Sequence, residues 1–239
     1  MVSPDRVTDR QALAALNAEI VECRRCPRLV EWRERVAREK VLRFRGEPYW
    51  GRPLPGFGDP DGRILLIGLA PAAHGGNRTG RVFTGDASGD FLWAALYEAG
   101  LADRPSSRRS DDGLTLTDTY IAAAVRCAPP LNKPTNEERD ACAPFLAREI
   151  GLLSELRVIV ALGQFGWDAA LRALATLGHP ANPKPRFGHD VAYEVGPYQL
   201  LGSYHPSQQN TFTGRLTAPM FDSVIARARD LAFTHPKGE

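Results

Sequence analysis

The chain has 239 residues, 43% of them apolar and 24% charged, the mix of an ordinary globular protein rather than a disordered one. No stretch of about 18 apolar residues offers a membrane-spanning helix, and the opening MVSPDRVTDRQ lacks the basic-then-apolar pattern of a secretory signal. A cytoplasmic protein of net charge +2 is expected.

Residues 9–21 and 28–40 read as two helices, interrupted by a Cys-Pro region. Charge concentrates nearby: in residues 24–52 ten Lys and Arg stand against four Glu, and 26 of the 30 basic residues in the whole chain are Arg. A planar guanidinium suits phosphate, so this segment keeps nucleic acid in view beside the plainer reading of a solvated helix face. Residues 44–62 carry Pro48, Pro53, Pro55, Pro60 and several glycines and are expected to be ordered loop. Four short apolar, β-branched runs then alternate with helical patterns. The runs are residues 63–69, 119–125, 157–162 and 198–203, each nearly continuously apolar, as strands covered on both faces are. The helical patterns are residues 90–99, 135–153, 165–177 and 217–233, the second opened by Thr135 and Glu138 as a capping box. Loops at residues 71–89 and 104–113 complete the chain, the latter polar and expected to be mobile. This alternation predicts an α/β fold: a three-layer α/β/α sandwich around a four-stranded, mostly parallel sheet. One domain spans 1–239, with an N-terminal helical extension (1–62), an α/β core (63–233) and a tail (234–239).

Four cysteines stand out. Cys23-x2-Cys26 precedes an Arg-Pro region by chain position, and Cys127 and Cys142 follow a hundred residues later. Disulfides do not suit a reducing compartment, and the CxxC pair does not follow a strand as a thioredoxin-type redox pair does. Four thiolates satisfy either a closed zinc site or an iron–sulfur cubane, and spacing does not separate the two. Either one would staple the N-terminal extension to the core.

Three polar loops follow strand ends, and ligands of open α/β sheets bind at that edge. GLAPAAHGGNRTGRVFTGDASGD at residues 68–90 lacks both G-x-G-x-x-G and a P-loop lysine. Its glycines are expected to let backbone amides converge on a ligand. Phe83 reads as a stacking platform or as a core residue under the loop. Asp86 reads as a general base or as a helix N-cap. AVRCAPPLNKPT at residues 124–135 holds Asn132 among prolines, and SYHPSQQNTFTG at residues 203–214 places His205-Pro206 at a strand end.

These three loops, the cysteine spacing and the stretch FRGEPYWGRPLPGFGDP resemble the uracil-DNA glycosylase superfamily, most closely its family five, the B type. The resemblance implies a four-iron four-sulfur (4Fe-4S) cluster on Cys23, Cys26, Cys127 and Cys142. It implies an enzyme that flips a damaged nucleotide out of DNA and hydrolyses the bond between base and deoxyribose. His205 matches the histidine that hydrogen-bonds the uracil O2, and Phe83 the aromatic that stacks on the base. Asp86 and Asn132 match the polar residues that direct water. Gly68, Ala70, Ala123 and Ser203 complete the implied base pocket. Ala70 stands where other families place an acid or Asn, and Ala123 where related families carry an Asn that reads the uracil edge. Relaxed specificity follows, with hypoxanthine and xanthine as further substrates. Pro206, Ser207 and Gln208 are assigned to the minor groove, Asn210 to DNA, and Arg215, Arg43 and Arg45 to phosphate. The expected partner is DNA carrying uracil or another deaminated base, bound by a monomer. A catalytically weak damaged-DNA binding protein of the same fold is the second reading. Relatives that bond covalently to the abasic sugar carry a basic insertion before the histidine, where this chain has only Leu201-Gly202-Ser203-Tyr204.

Overall fold

The computed structural model describes residues 4–234, so residues 235–239 of the expected tail lie outside the described residues. The N-terminal extension supplies helices α1 (Pro4–Val21) and α2 (Pro27–Glu39), the second opened by a proline in its first turn, where the missing N–H costs nothing. The core then runs β1 (Phe57–Gly58), β2 (Ile64–Gly68), α3 (Gly76–Thr79), α4 (Ala87–Glu98), β3 (Thr119–Ala123), α5 (Asn136–Leu152), β4 (Val158–Leu162), α6 (Gly163–Thr176), β5 (Ala192–Val195), β6 (Tyr198–Ser203), α7 (Gln208–Phe212) and α8 (Ala218–Thr234). The expected capping box is present: Thr135 Oγ1 accepts from the Glu138 amide at 3.3 Å, and the Glu138 carboxylate accepts from the Thr135 amide at 2.8 Å.

The sheet has six strands in the order β1-β3-β2-β4-β6-β5, not four. The four expected strands form its parallel centre, and β1 and β5 add antiparallel edges. The edges escaped the sequence reading for physical reasons. β1 is two residues long inside a Pro/Gly-rich loop, and β5 is partly exposed, so neither has the continuous apolar run of a doubly covered strand.

Successive side chains of a strand point to opposite faces, and both faces here are covered. Ile64, Leu66, Val158 and Val160 pack with Trp93 of α4 and with Phe221 and Ile225 of α8. Leu65, Ile67, Ile159 and Ala161 pack with Ile150 of α5 and Trp167 of α6. Each such aliphatic side chain, fully buried, contributes about 1.5–3 kcal/mol, which explains why these runs are apolar throughout. Strand order reverses around β2: the chain moves to β3 on one side, then crosses to β4 on the other. The crevice beyond the carboxyl end of β2 is therefore where this fold places a ligand.

The segment 104–113, expected to be mobile, is folded around Asp112. That carboxylate accepts from the amides of Arg108 (3.1 Å), Arg109 (3.3 Å) and Leu114 (3.1 Å) and from Arg81 Nη2 (2.6 Å). Although burial opposes ionisation, the Arg81 guanidinium and the surrounding amides hold Asp112 well below the usual carboxylate range.

Candidate active site

Three of the expected pocket residues lie at the carboxyl ends of the parallel strands. Gly68 and Ala123 are paired at the ends of β2 and β3, and Ser203 ends β6 beside Leu162. Ala123 and Ser203 are buried, and Ser203 Oγ lies 3.0 Å from the Tyr204 carbonyl. Ala70 packs instead toward the cysteine-rich cluster.

Phe83 holds a left-handed backbone, φ 50°, an uncommon conformation for an aromatic. Its carbonyl accepts from Trp93 Nε1 at 2.7 Å, which fixes it. The ring lies over Gly68, where a Cβ would come within 2.9 Å of it, and pairs with His205 at 5.9 Å between centroids and 30° between planes. Both readings of Phe83 meet here, since the half-buried ring also packs on the core. His205 is largely buried, and burial pushes its imidazole down to about 4, so it is neutral near pH 7. Its backbone is braced by Asn210, whose Nδ2 donates to the His205 carbonyl at 2.8 Å. Asn210 thus supports the histidine from within the protein.

Asp86 caps α4, its Oδ1 accepting from the Gly89 amide at 2.9 Å. Burial raises its pKa, opposed by the Gly89 and Ser88 amides, with Asp90 adding to the rise. Asp86, Asn132, Gln208, Arg43, His74 and Asp90 line one 420 Å³ cavity. Asn132 reaches it from a 3-10 turn, Pro130–Asn132, with Leu131 and Asn132 both at positive φ. The polar pair Asp86 and Asn132 is thereby united. His205 and Phe83 do not line that cavity and form a neighbouring group. Only two residues separate the groups along the chain, Thr84 and Gly85 between Phe83 and Asp86, and Pro206 and Ser207 between His205 and Gln208.

Four of the five glycine amides of residues 71–89 are held within the protein. The amides of Gly75, Gly80 and Gly85 donate to the carbonyls of Ala72, Gly76 and Ser107, and that of Gly89 to Asp86. These donors are satisfied within the protein, which leaves His205 and Asp86 as the chemically equipped groups. Of the residues assigned to DNA, Ser207 precedes α7 and Gln208 begins it, while Pro206 is buried. Arg43 and Arg45 are exposed, and exposed Arg215 stacks on the Tyr204 ring at 4.6 Å. The sequence reading passed over His74 and Asp90. Their signal was present, one among Ala and Gly and the other four residues beyond Asp86, on the same helical face.

The cysteines gather at the seam between extension and core. Cys127 and Cys142 are buried in a cluster with Leu16, Ile20, Leu29 and Phe145, and Cys23 and Cys26 pack against it. Buried Arg33 donates through Nη1 to Cys127 Sγ at 2.9 Å, and the Arg126 amide to Cys142 Sγ at 3.3 Å. Arg28 clamps Glu138 with two bonds of 2.7 and 2.6 Å, tying α2 to α5. Among the described residues, no group of three or more His, Cys, Asp or Glu is placed to hold a single metal ion.

The sheet is parallel at its centre, with polar loops gathered beyond the carboxyl ends of its strands, the architecture of an open α/β protein. The Uracil DNA glycosylase superfamily model matches residues 55–229, and the chain belongs to that superfamily. Within it, the chain is similar to type-5 members. It is 55% identical over 223 residues to the type-5 uracil-DNA glycosylase of Mycobacterium tuberculosis, covering 92% of this chain and 82% of the relative. It is also 55% identical over 227 residues to the type-5 uracil-DNA glycosylase of Thermus thermophilus, covering 94% and 99%. The type-4 uracil-DNA glycosylase of Pyrobaculum aerophilum is 36% identical over 127 residues, 53% of this chain and 57% of the relative.

Proposed function

We propose that the protein is a monofunctional uracil-DNA glycosylase that also excises deaminated purines, acting as a monomer on cytoplasmic, nucleoid-associated DNA. The observation that carries the reading is the pairing of a buried, neutral His205 with Phe83 beside a cavity holding Asp86 and Asn132. Cleaving an N-glycosidic bond builds negative charge on the departing base and positive charge on the sugar. His205, uncharged, donates its ring N–H to the developing anion at the uracil O2. A donor placed where charge develops is worth about 3 kcal/mol, roughly a hundredfold in rate. Phe83 supplies a flat face for the base. Asp86 orients water toward C1′ and steadies the cationic sugar, with Asn132 beside it in the cavity. Addition of water at C1′ and departure of the base leave an abasic site and the free base.

Ala123 carries no hydrogen-bonding side chain at the strand end, so the pocket does not read one base edge, which favours hypoxanthine and xanthine as additional substrates. Arg43 and Arg45 contact phosphate, as does Arg215. Cys23, Cys26, Cys127 and Cys142 would hold a 4Fe-4S cluster. A buried guanidinium aimed at Cys127 Sγ fits a thiolate, because an uncompensated buried cation is costly, and donors to sulfur are a usual environment of such clusters. The cluster would supply structure, fastening the extension to the core.

Base release from duplexes carrying uracil, hypoxanthine or xanthine tests the reading. Release of uracil, with measurable release of the purines, supports it. Tight binding without release would favour the damaged-DNA binding protein, and release of uracil alone would confine the substrate range.

A further inference from the structure

A second hollow, 650 Å³ in volume, opens directly beside the cavity. Its walls come from two places. One is the segment that follows α2, with Arg43, Phe44, Tyr49 and Trp50; the other is the folded segment carrying Arg108 and Arg109, with Arg78 at the base. Arg43, Phe44, Gly85 and Arg108 line both spaces, so the hollow and the cavity form a continuous groove. Residues 43–50 precede the superfamily match, which begins at residue 55. This wall therefore lies outside the segment matched by the superfamily model.

We propose that this groove takes an unpaired nucleotide of the DNA strand, the immediate neighbour of the nucleotide being excised. The proposal rests on the reading of the adjacent cavity as a site for a flipped nucleotide. Trp50 is built as a platform. Its indole Nε1 donates to the Pro53 carbonyl at 3.1 Å. One side of the ring packs on Gly80, where a Cβ would lie 3.0 Å from it, at a φ of 83° that favours glycine. The side chain is thus fixed from behind, yet Trp50 remains 37% exposed. A rigid, partly exposed aromatic accepts any base by stacking, but only a base that has left its pair can present its own face. The Arg52 guanidinium stands over the ring, 5.7 Å from its centroid.

Charge completes the fit. Arg78 pairs with Glu47, Arg109 with Asp111 and Arg108 with Asp90. Arg43 has no carboxylate partner among the described residues and stands over the Phe44 ring at 5.0 Å. Phe44 is already covered by Arg78, at 4.0 Å, so its part is to hold the guanidinium groups. Arg43 and Arg108 belong to both spaces, which is where the phosphate joining two successive nucleotides must pass. Tyr49 links the two spaces from inside, its hydroxyl 3.0 Å from His74 Nδ1. A volume of 650 Å³ suits one nucleotide, within the usual range for small-ligand sites.

The test uses the wild-type protein with duplexes that carry a stable abasic analogue in place of the damaged nucleotide. 5-Iododeoxycytidine is placed one nucleotide to the 5′ or 3′ side, either paired or mismatched. Irradiation should cross-link it to the tryptic peptide of residues 46–63, which carries Trp50, more strongly when the neighbour is mismatched. Trp50→Ala should raise Kd for the mismatched duplex about tenfold while sparing the fully paired one, and Trp50→Phe should keep the wild-type preference. Cross-links confined to other peptides, or equal loss on paired and mismatched DNA, would overturn the proposal. Uracil release is measured in parallel. Its failure removes the glycosylase reading, whereas release without cross-linking to residues 46–63 removes the groove alone.

Discussion

The Asp86 carboxylate lies flush against the backbone of Gly75, so that a Cβ at Gly75 would overlap Oδ2. The glycine therefore sets the position of the carboxylate from across the loop, while the Gly89 amide holds Oδ1. Gly75→Ala should displace Asp86 and slow uracil release in single-turnover kinetics by about a hundredfold, within the usual range for a lost general base. Normal release from a folded Gly75→Ala protein would show that the carboxylate position does not matter to the chemistry.

Asp86 caps a helix and also faces the cavity, and one substitution separates the two roles. Asn caps as well as Asp, so Asp86→Asn keeps the helix end and removes the charge. Burial raises the folded pKa of Asp86, so the stability linked to its protonation is fully present below the unfolded value and lost as pH rises through the folded one. The Asn variant should accordingly melt no lower than wild type at neutral pH. Wild-type release should increase with pH through a pKa above the ordinary aspartate value, and Asp86→Asn should lose both that limb and about a hundredfold in rate. Unchanged release would pass the water-orienting role to Asn132, and Asn132→Ala would then show the larger defect.

Burial pushes the His205 imidazole down to about 4, and if the neutral ring acts as the proposed donor, two consequences follow. The pH–rate profile should show no limb near pH 6.5 belonging to this residue, and His205→Ala should slow base release roughly a hundredfold at every pH. The stability consequence has the opposite sign from Asp86. Below about 6.5 the unfolded chain protonates this histidine while the folded protein does not, so stability falls as pH drops toward 4. Melting temperatures between pH 7 and 4 should fall less steeply for His205→Ala than for wild type.

The cysteine site makes a compositional prediction. Protein purified without oxygen should be brown and contain about four irons per chain. Arg33→Met removes the donor to Cys127 Sγ and should release iron to a chelator faster than wild type. Colourless, zinc-loaded protein with full activity would reject the cluster.

Arg126 and Glu149 form a fully buried ion pair between the segment after β3 and helix α5, with Nη1 donating at 3.0 Å. Removing one partner leaves a buried charge without compensation, so Arg126→Met alone should cost about 3–5 kcal/mol in urea denaturation. The double substitution Arg126→Met with Glu149→Met should recover most of that loss. An equally unstable double variant would mean that the pair, and not merely its balance, organises this seam.

The residues that could be read in the sequence are those whose role is local. The apolar runs of β2, β3, β4 and β6 are visible because a strand covered on both faces must be apolar at every position. Thr135 and Glu138 announce the start of α5 because a capping box closes within four residues. His205, Asp86 and Asn132 stand out because polar residues in loops at strand ends lie where such sheets bind ligands. Tertiary structure alone decided what depends on partners far apart in the chain. Arg81 and Asp112 fold a loop that composition presents as free, and β1 and β5 become strands only because a formed sheet offers them an edge. The amides of Gly75, Gly80, Gly85 and Gly89 find carbonyls and the Asp86 cap. Trp50 becomes a platform only because Gly80 arrives behind it. In each case the deciding contact joins segments whose own patterns do not specify it, and packing settles which groups meet.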